Sequence, residues 1–228
     1  MKIVRVAPSI LAIDYNNKEV LLENLQRLEK SAASLVHLDV MDGKFVKNKS
    51  FDHTLVEFIK NHSTLVLDVH LMVKNPELVI EDYIKAGADI LTVHYEATEN
   101  LYETLKKIKS YNCLAGVAIN PKTSVLKLKD IIKSDLVDMV TIMGVNPGAY
   151  GQEFILSTYE KIVEVRELDK NILIEVDGGV TIKNSKILRK LGVNVIVSGA
   201  TVFRSKNINK TIKELKGKNA LLSFFKKK

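Results

Sequence analysis

Three short segments place ionisable side chains two residues apart: His37-Leu38-Asp39, Asp68-Val69-His70 and Glu175-Val176-Asp177. On an extended strand such pairs share one face, so each segment can aim two polar groups at a single point. Two imidazoles and two carboxylates gathered there make a mixed nitrogen and oxygen donor set. It suits one borderline divalent ion, Zn, Fe(II), Co or Mn, rather than Ca. A satisfied core polar group is the ordinary explanation for any one of these residues alone. Three segments with the same pattern favour chemistry, with carboxylates available as acid and base.

Glycines form a second set: Asn146-Pro147-Gly148 with Gly151, then Gly178-Gly179, then Gly199. Glycine lets backbone amides approach an anion closely. Three such turns in neighbouring loops point to a phosphorylated substrate. Met41 and Met72 follow the first two of the ionisable segments and Met143 ends a separate apolar run, either as core filling or as an apolar roof that limits water.

These residues need a frame. Apolar runs recur at Ile3 to Ala7, Leu35 to Val40, Leu65 to His70, Ile90 to His94, Leu114 to Ile119, Met139 to Met143, Ile172 to Val176 and Val193 to Ser198. Between them lie stretches with helical spacing, such as Val20, Leu21, Leu25 and Leu28, or Val163 with Ile162 and Val165. Continuous apolar strands alternating with helices indicate parallel strands covered on both faces. Eight such units predict one (β/α)8 TIM barrel. The ionisable pairs and the glycine turns then fall at the carboxyl ends of strands, the face that carries active sites in such barrels, with phosphate commonly held after strands seven and eight. Gly87 and Gly192 read as left-handed helix stops, and Asn75-Pro76-Glu77 as a helix start with Asn75 as the cap.

The chain has 228 residues, 46% apolar and 27% charged, without tryptophan. That length suits one barrel, and no linker or shift in composition divides it. We therefore expect a single domain over 1–228 with a basic tail from about 217. Cys113 is the sole cysteine, which excludes an intrachain disulfide and, with no signal-peptide pattern or long apolar segment, predicts a cytoplasmic protein without a membrane span. The net charge of +7 is local: nine basic residues and one acidic residue lie between Arg204 and Lys228, leaving 25 basic against 26 acidic before them. The tail reads as a solvated terminus rather than a nucleic-acid site.

Pro8-Ser9-Ile10-Leu11, His37-Leu-Asp-Val-Met-Asp-Gly43, Asp68-Val-His-Leu-Met72, Asn146-Pro-Gly148 and Glu175-Val-Asp-Gly-Gly179 together resemble the ribulose-phosphate 3-epimerase family, from about Val4 to Phe203. The resemblance implies that His37, Asp39, His70 and Asp177 ligate one divalent metal ion, with no organic cofactor. It implies that Asp39 and Asp177 move protons on opposite sides of the substrate through an enediolate stabilised by the ion, interconverting D-ribulose 5-phosphate and D-xylulose 5-phosphate. It further implies that Ser9 and His70 contact the sugar phosphate, and that Met41, Met72 and Met143 line the reacting centre. Backbone around Gly148, Ala149, Tyr150, Gly151, Gly178, Gly179, Gly199 and Ala200 is implied to hold phosphate. A homo-oligomer is implied as well.

The chain departs from the family's usual pattern at Ala149-Tyr150, Lys44, Lys47 and Ala200. Tyr150 bears on pocket length, so a six-carbon ketose phosphate such as allulose 6-phosphate is the alternative substrate. A non-catalytic RNA-binding or scaffold barrel is the remaining reading, disfavoured because an idle barrel has no reason to keep inward charges.

Overall fold

The structure is a computed structural model that describes residues 4–217. The rest of the expected basic tail lies outside the described residues. Eight parallel strands alternate with helices: β1 (Arg5–Ala7), α1 (Lys18–Glu29), β2 (Leu35–Met41), α2 (His53–His62), β3 (Val66–Met72), α3 (Ile80–Lys85), β4 (Ile90–His94), α4 (Leu101–Ser110), β5 (Leu114–Ile119), α5 (Lys129–Ile132), β6 (Met139–Met143), α6 (Thr158–Leu168), β7 (Leu173–Asp177), α7 (Ile182–Lys190), β8 (Val195–Val197), α8 (Ala200–Phe203) and α9 (Ile208–Lys216). Hydrogen-bonded neighbours run from β2 through β8 to β1. The seam between β1 and β2 is bridged where Ser9 pairs with His37 and the His37 amide donates to the Pro8 carbonyl at 3.0 Å. The predicted TIM barrel is thereby observed, and its closure falls beside His37.

Strand periodicity sorts side chains into two sets. Val36, Leu38, Val40, Leu67, Val69 and Leu71 belong to the core under the helices, with Leu21, Leu25 and Leu28 of α1 packed into it. The alternate positions form layers inside the barrel. Leu35, Ile90, Met139 and Val195 make an apolar floor with Val66, Leu114 and Leu173. The inward positions above them are largely polar and buried: His37 and Asp39, Asp68 and His70, Thr92 and His94, Thr141, Glu175 and Asp177. The barrel is thus packed with aliphatics at the amino ends of its strands and with ionisable groups at their carboxyl ends. That division carries the function.

Several boundaries differ from the sequence expectation. Met41 and Met72 end β2 and β3 instead of following them, paired in register with each other. Val163 is exposed while Ile162 and Val165 are buried, because only the latter two lie on the face of α6 that meets the barrel. Asn75 makes no side-chain cap. It sits in the left-handed region at φ +53° and leads into a short 3-10 turn, Pro76–Leu78, ahead of α3. The following proline disfavours the right-handed region for this residue, and Asn tolerates the left-handed one. Gly87 and Gly192 stop their helices with φ of +104° and +87°, as expected. Among the described residues no helix is long and apolar enough to cross a membrane.

Candidate active site

Strand register builds the centre. Asp39 is the neighbour of His70 across β2 and β3, and Met143 that of Asp177 across β6 and β7. His37 Nε2 lies 3.2 Å from Asp39 Oδ1 and 3.7 Å from Asp177 Oδ2. His70 Nδ1 lies 3.4 Å and 3.3 Å from the same two oxygens, yet makes a hydrogen bond to neither. The four potential ligand atoms all fall within 4.8 Å of one another. Atoms bound to a tetrahedral ion at about 2.0 Å are about 3.3 Å apart, so the observed spacings fit one divalent ion. A buried imidazole nitrogen without a hydrogen bond, aimed at two carboxylates, fits it as well.

The electrostatics agree. Burial alone would push the Asp39 carboxyl up, but the charge and hydrogen bond of His37, with the charge of His70, hold it far below the usual carboxylate range. Asp177 is likewise lowered: burial and Asp39 oppose its ionisation, and the two imidazoles prevail. His37 is pushed well above its ordinary value because Asp39, Asp68 and Asp177 overcome its desolvation. His70 is raised for the same kind of reason. Two imidazoles thus face two carboxylates across one gap, an arrangement that an ion can enter as imidazole protons are displaced.

Supporting groups surround it. Ser9 Oγ donates to Asp39 Oδ2 at 2.7 Å, leaving Oδ1 toward the histidines. Asp68 Oδ2 meets His37 Nδ1 at 2.7 Å, the carboxylate–imidazole pairing that orients a metal-binding histidine. Behind it lies Glu175, which accepts from Thr141 Oγ1 at 2.9 Å. Burial first, and then Asp68, raise its carboxyl well above the ordinary value. Of the six ionisable residues singled out by spacing, Asp68 and Glu175 therefore stand behind His37 rather than in the cavity.

The cavity of about 220 Å³ above this centre is lined by Ser9, Asp39, Met41, Met72, Met143 and Asp177, and by the loops carrying Gly148, Ala149, Tyr150, Gly151, Gly178, Gly179, Gly199 and Ala200. His37 and His70 are fully buried beneath it. His37, Asp39, His70 and Asp177, the three methionines, Ser9 and the glycine loops thus meet at one place, with Asp68 and Glu175 behind them. Met41 and Met72 pack with Val46, Leu11 and Phe45 at its side.

The loops are tied by specific bonds. Gln152 Nε2 donates to the Asn146 and Ala149 carbonyls at 2.7 and 2.9 Å, and Asn48 Nδ2 to the Gly148 carbonyl at 2.6 Å. Gly178 has φ +101°, and a Cβ there would stand 2.3 Å from Val145 Cγ2. At Gly179, φ +67°, it would meet the Phe154 backbone at 2.9 Å. Only glycine fits either position.

Residues that spacing did not reveal also belong here. Arg204 is the only basic side chain lining the cavity among the described residues, and its place in the basic carboxyl-terminal run concealed it. His94 and Glu96 lie behind His70. Their signal was available, because counting in twos from Ile90 places Thr92 and His94 on the inner face.

Barrel, buried carboxylate–imidazole centre and glycine-edged cavity define an enzyme of the (β/α)8 class. The model of the Ribulose-phosphate 3 epimerase family matches residues 5–203. The chain is 40% identical over 219 residues to ribulose-phosphate 3-epimerase of Bacillus subtilis, covering 94% of this chain and 99% of the relative. It is 36% identical over 228 residues to that of Escherichia coli, covering 98% and 99%. It is 41% identical over 217 residues to the chloroplastic enzyme of Arabidopsis thaliana, covering 92% and 75%. The chain belongs to the ribulose-phosphate 3-epimerase family and is an epimerase. Solved structures with the same barrel include a tryptophan synthase complex from Pyrococcus furiosus, with a TM-score of 0.68 at 17% identity, covering 94% of this chain and 98% of that one. A 3-hexulose-6-phosphate synthase aligns with a TM-score of 0.64 at 18% identity, covering 94% and 98%. These likenesses establish the fold alone.

Proposed function

We propose that this chain interconverts D-ribulose 5-phosphate and D-xylulose 5-phosphate by inverting C3 with Asp39 and Asp177 as the two acid–base groups. The observation that carries the reading is two buried carboxylates facing one cavity floor, with their oxygens shared between His37 and His70.

C3 of the substrate bears a hydrogen and a hydroxyl beside the C2 ketone. One aspartate takes the C3 proton. The electron pair of that C–H bond becomes the C2–C3 double bond, and the carbonyl oxygen takes up the negative charge. The other aspartate, as the carboxylic acid, gives a proton to the opposite face of C3 while the carbonyl re-forms. In the reverse direction the two exchange roles, as microscopic reversibility demands. His37, Asp39, His70 and Asp177 would hold one divalent ion, which supplies Lewis-acid stabilisation of the charge that develops on the substrate oxygens. Ser9, by donating to Asp39 Oδ2, keeps the other oxygen of that carboxylate on the histidine side. Met41, Met72 and Met143, buried around the reacting carbon, exclude water that would reprotonate it at random.

Backbone amides of the loops at 148–151, 178–179 and 199–200 supply donors for the phosphate, and Arg204 adds a positive charge to the same cavity. Fixing the phosphate there fixes C3 between the carboxylates. Tyr150, 56% exposed at the cavity wall, limits the length of sugar admitted. The family relationship also supports a homo-oligomer.

The test is conversion of D-ribulose 5-phosphate in deuterated water, with metal content measured on the same sample and a six-carbon ketose 6-phosphate assayed alongside. Deuterium at C3 of the product xylulose 5-phosphate, with about one divalent ion per chain, is the expected result. Equal kcat/KM on the six-carbon sugar would overturn the substrate assignment, and turnover by protein stripped of metal would overturn the role of the ion.

A further inference from the structure

A buried polar chain runs outward from His70. His70 presents Nδ1 to Asp39 and Asp177. Its other nitrogen, Nε2, is 2.9 Å from Nε2 of His94, whose Nδ1 is 3.2 Å from Glu96 Oε2. Both imidazoles are fully buried, and their rings stack with centroids 4.9 Å apart. Glu96 in turn accepts through Oε1 from the Asn120 amide at 2.9 Å and from the Thr123 hydroxyl. Lys161 of α6 braces that segment by donating to the Asn120 and Thr123 carbonyls at 2.9 and 2.5 Å.

Two facing Nε2 atoms at this distance share one hydrogen, so one donates and the other accepts. If His94 were the donor, its Nδ1 would be bare and would face the Glu96 carboxylate lone pair to lone pair. Glu96 is an anion: burial would raise its carboxyl, but hydrogen bonding to His94, Thr123 and Asn120 holds it at about 2. The bare arrangement is therefore repulsive, and the chain runs one way. His94 Nδ1–H donates to Glu96, His94 Nε2 accepts, and His70 Nε2–H donates to it.

We infer that His94 and Glu96 are positioning residues that lock His70 in the Nε2–H tautomer, so that the nitrogen facing the two aspartates is the bare one able to hold a cation. This rests on the proposed assignment of His70 as a ligand. The role parallels that of Asp68 behind His37, with the difference that a second imidazole carries the effect from carboxylate to ligand over a longer path.

Glu96→Gln tests it. The amide can keep its oxygen toward Asn120 and Thr123 only by turning its NH2 to His94, which reverses every hydrogen bond in the chain and puts a proton on His70 Nδ1. We expect a 10- to 100-fold loss of Zn affinity by chelator competition in a variant whose circular dichroism is that of the wild type. Nitrogen-15 spectra of metal-free protein, at a pH above the titration of His70, should show His70 protonated on Nε2 in the wild type and on Nδ1 in the variant. Wild-type protein protonated on Nδ1, or a folded Glu96→Gln binding Zn within twofold of wild type, overturns the inference. If the variant does not fold, the wild-type spectrum alone decides. Failure of wild-type protein to take up any divalent ion would be the failure of the proposed function, and it is read on a separate measurement from the tautomer.

Discussion

Replacing either aspartate by asparagine should split the reaction into halves. Asp177 meets both histidines through Oδ2, so an amide with its oxygen at that position keeps the contact and turns NH2 toward the cavity. At Asp39, Oδ1 faces the histidines and Oδ2 accepts from Ser9. Asparagine there keeps oxygen as Oδ1 and offers NH2 to Ser9, whose hydroxyl rotates to accept. Both variants should fold and retain one inward oxygen, while losing the group that carries the proton. Loss of a positioned acid–base group costs about 10²- to 10⁴-fold, or about 3–5 kcal/mol of barrier, so epimerisation should fall by at least that factor in each. The remaining aspartate still reaches one face of C3. Asp177→Asn should therefore exchange the C3 hydrogen of one epimer with deuterium from solvent without inverting it, and Asp39→Asn should do so for the other epimer only. Proton NMR of each pure ketose phosphate with each variant reads this directly. Two variants that exchange the same epimer, or a metal-loaded variant that still epimerises within tenfold of wild type, would refute the two-carboxylate reasoning.

Four other outcomes follow from the geometry. Arg204→Ala removes the only cation lining the cavity among the described residues and should raise KM about tenfold with little change in kcat, as steady-state kinetics will show. Glu175→Gln should be tolerated within about 1 kcal/mol in denaturant unfolding, because burial and then Asp68 disfavour the charged form of that carboxyl and glutamine can still accept from Thr141. Glu175→Leu should cost about 1–3 kcal/mol by leaving buried partners unpaired. Gly116→Ala should destabilise by about 1–3 kcal/mol in the same assay, since its Cβ would stand 2.2 Å from Thr92 Oγ1. For pH, His37 and His70 are raised above 6.5 in the metal-free protein despite burial, so their contribution to stability is complete below 6.5 and is lost as pH climbs through the raised values. Asp39 and Asp177 are lowered, so theirs is present above about 3.8 and is lost as pH falls through the lowered values. The stabilisation contributed by these four groups to the metal-free protein should thus be greatest between about pH 4 and 6.5, while Zn affinity should rise with pH through the neutral range by up to about tenfold per unit for each imidazole proton displaced. Calorimetry and chelator titration check the two halves of this prediction.

The difference between the residues that could be read in the sequence and those that could not has one physical cause. His37, Asp39, His70 and Asp177 interrupt apolar strands at alternate positions, and alternation is what a parallel barrel converts into a shared interior. Asp68 and Glu175 show the same alternation, so spacing alone cannot separate a group that faces the cavity from one that stands one layer lower behind His37. Only the register, which sets Asp68 beside His37 and Glu175 beside Thr141, makes that distinction. His94 closes an otherwise apolar run, and Glu96 sits in the short turn after it. Their meaning depends on β4 lying next to β3, a neighbour relation that no local pattern contains. Arg204 depends on more distant closure still, since β8 must pair with β1 before the turn that follows it can face the same cavity. A barrel's chemistry is therefore legible one strand at a time only for groups that point at the centre. The groups that orient them act sideways, from strand to neighbouring strand, and become visible only when the sheet is assembled.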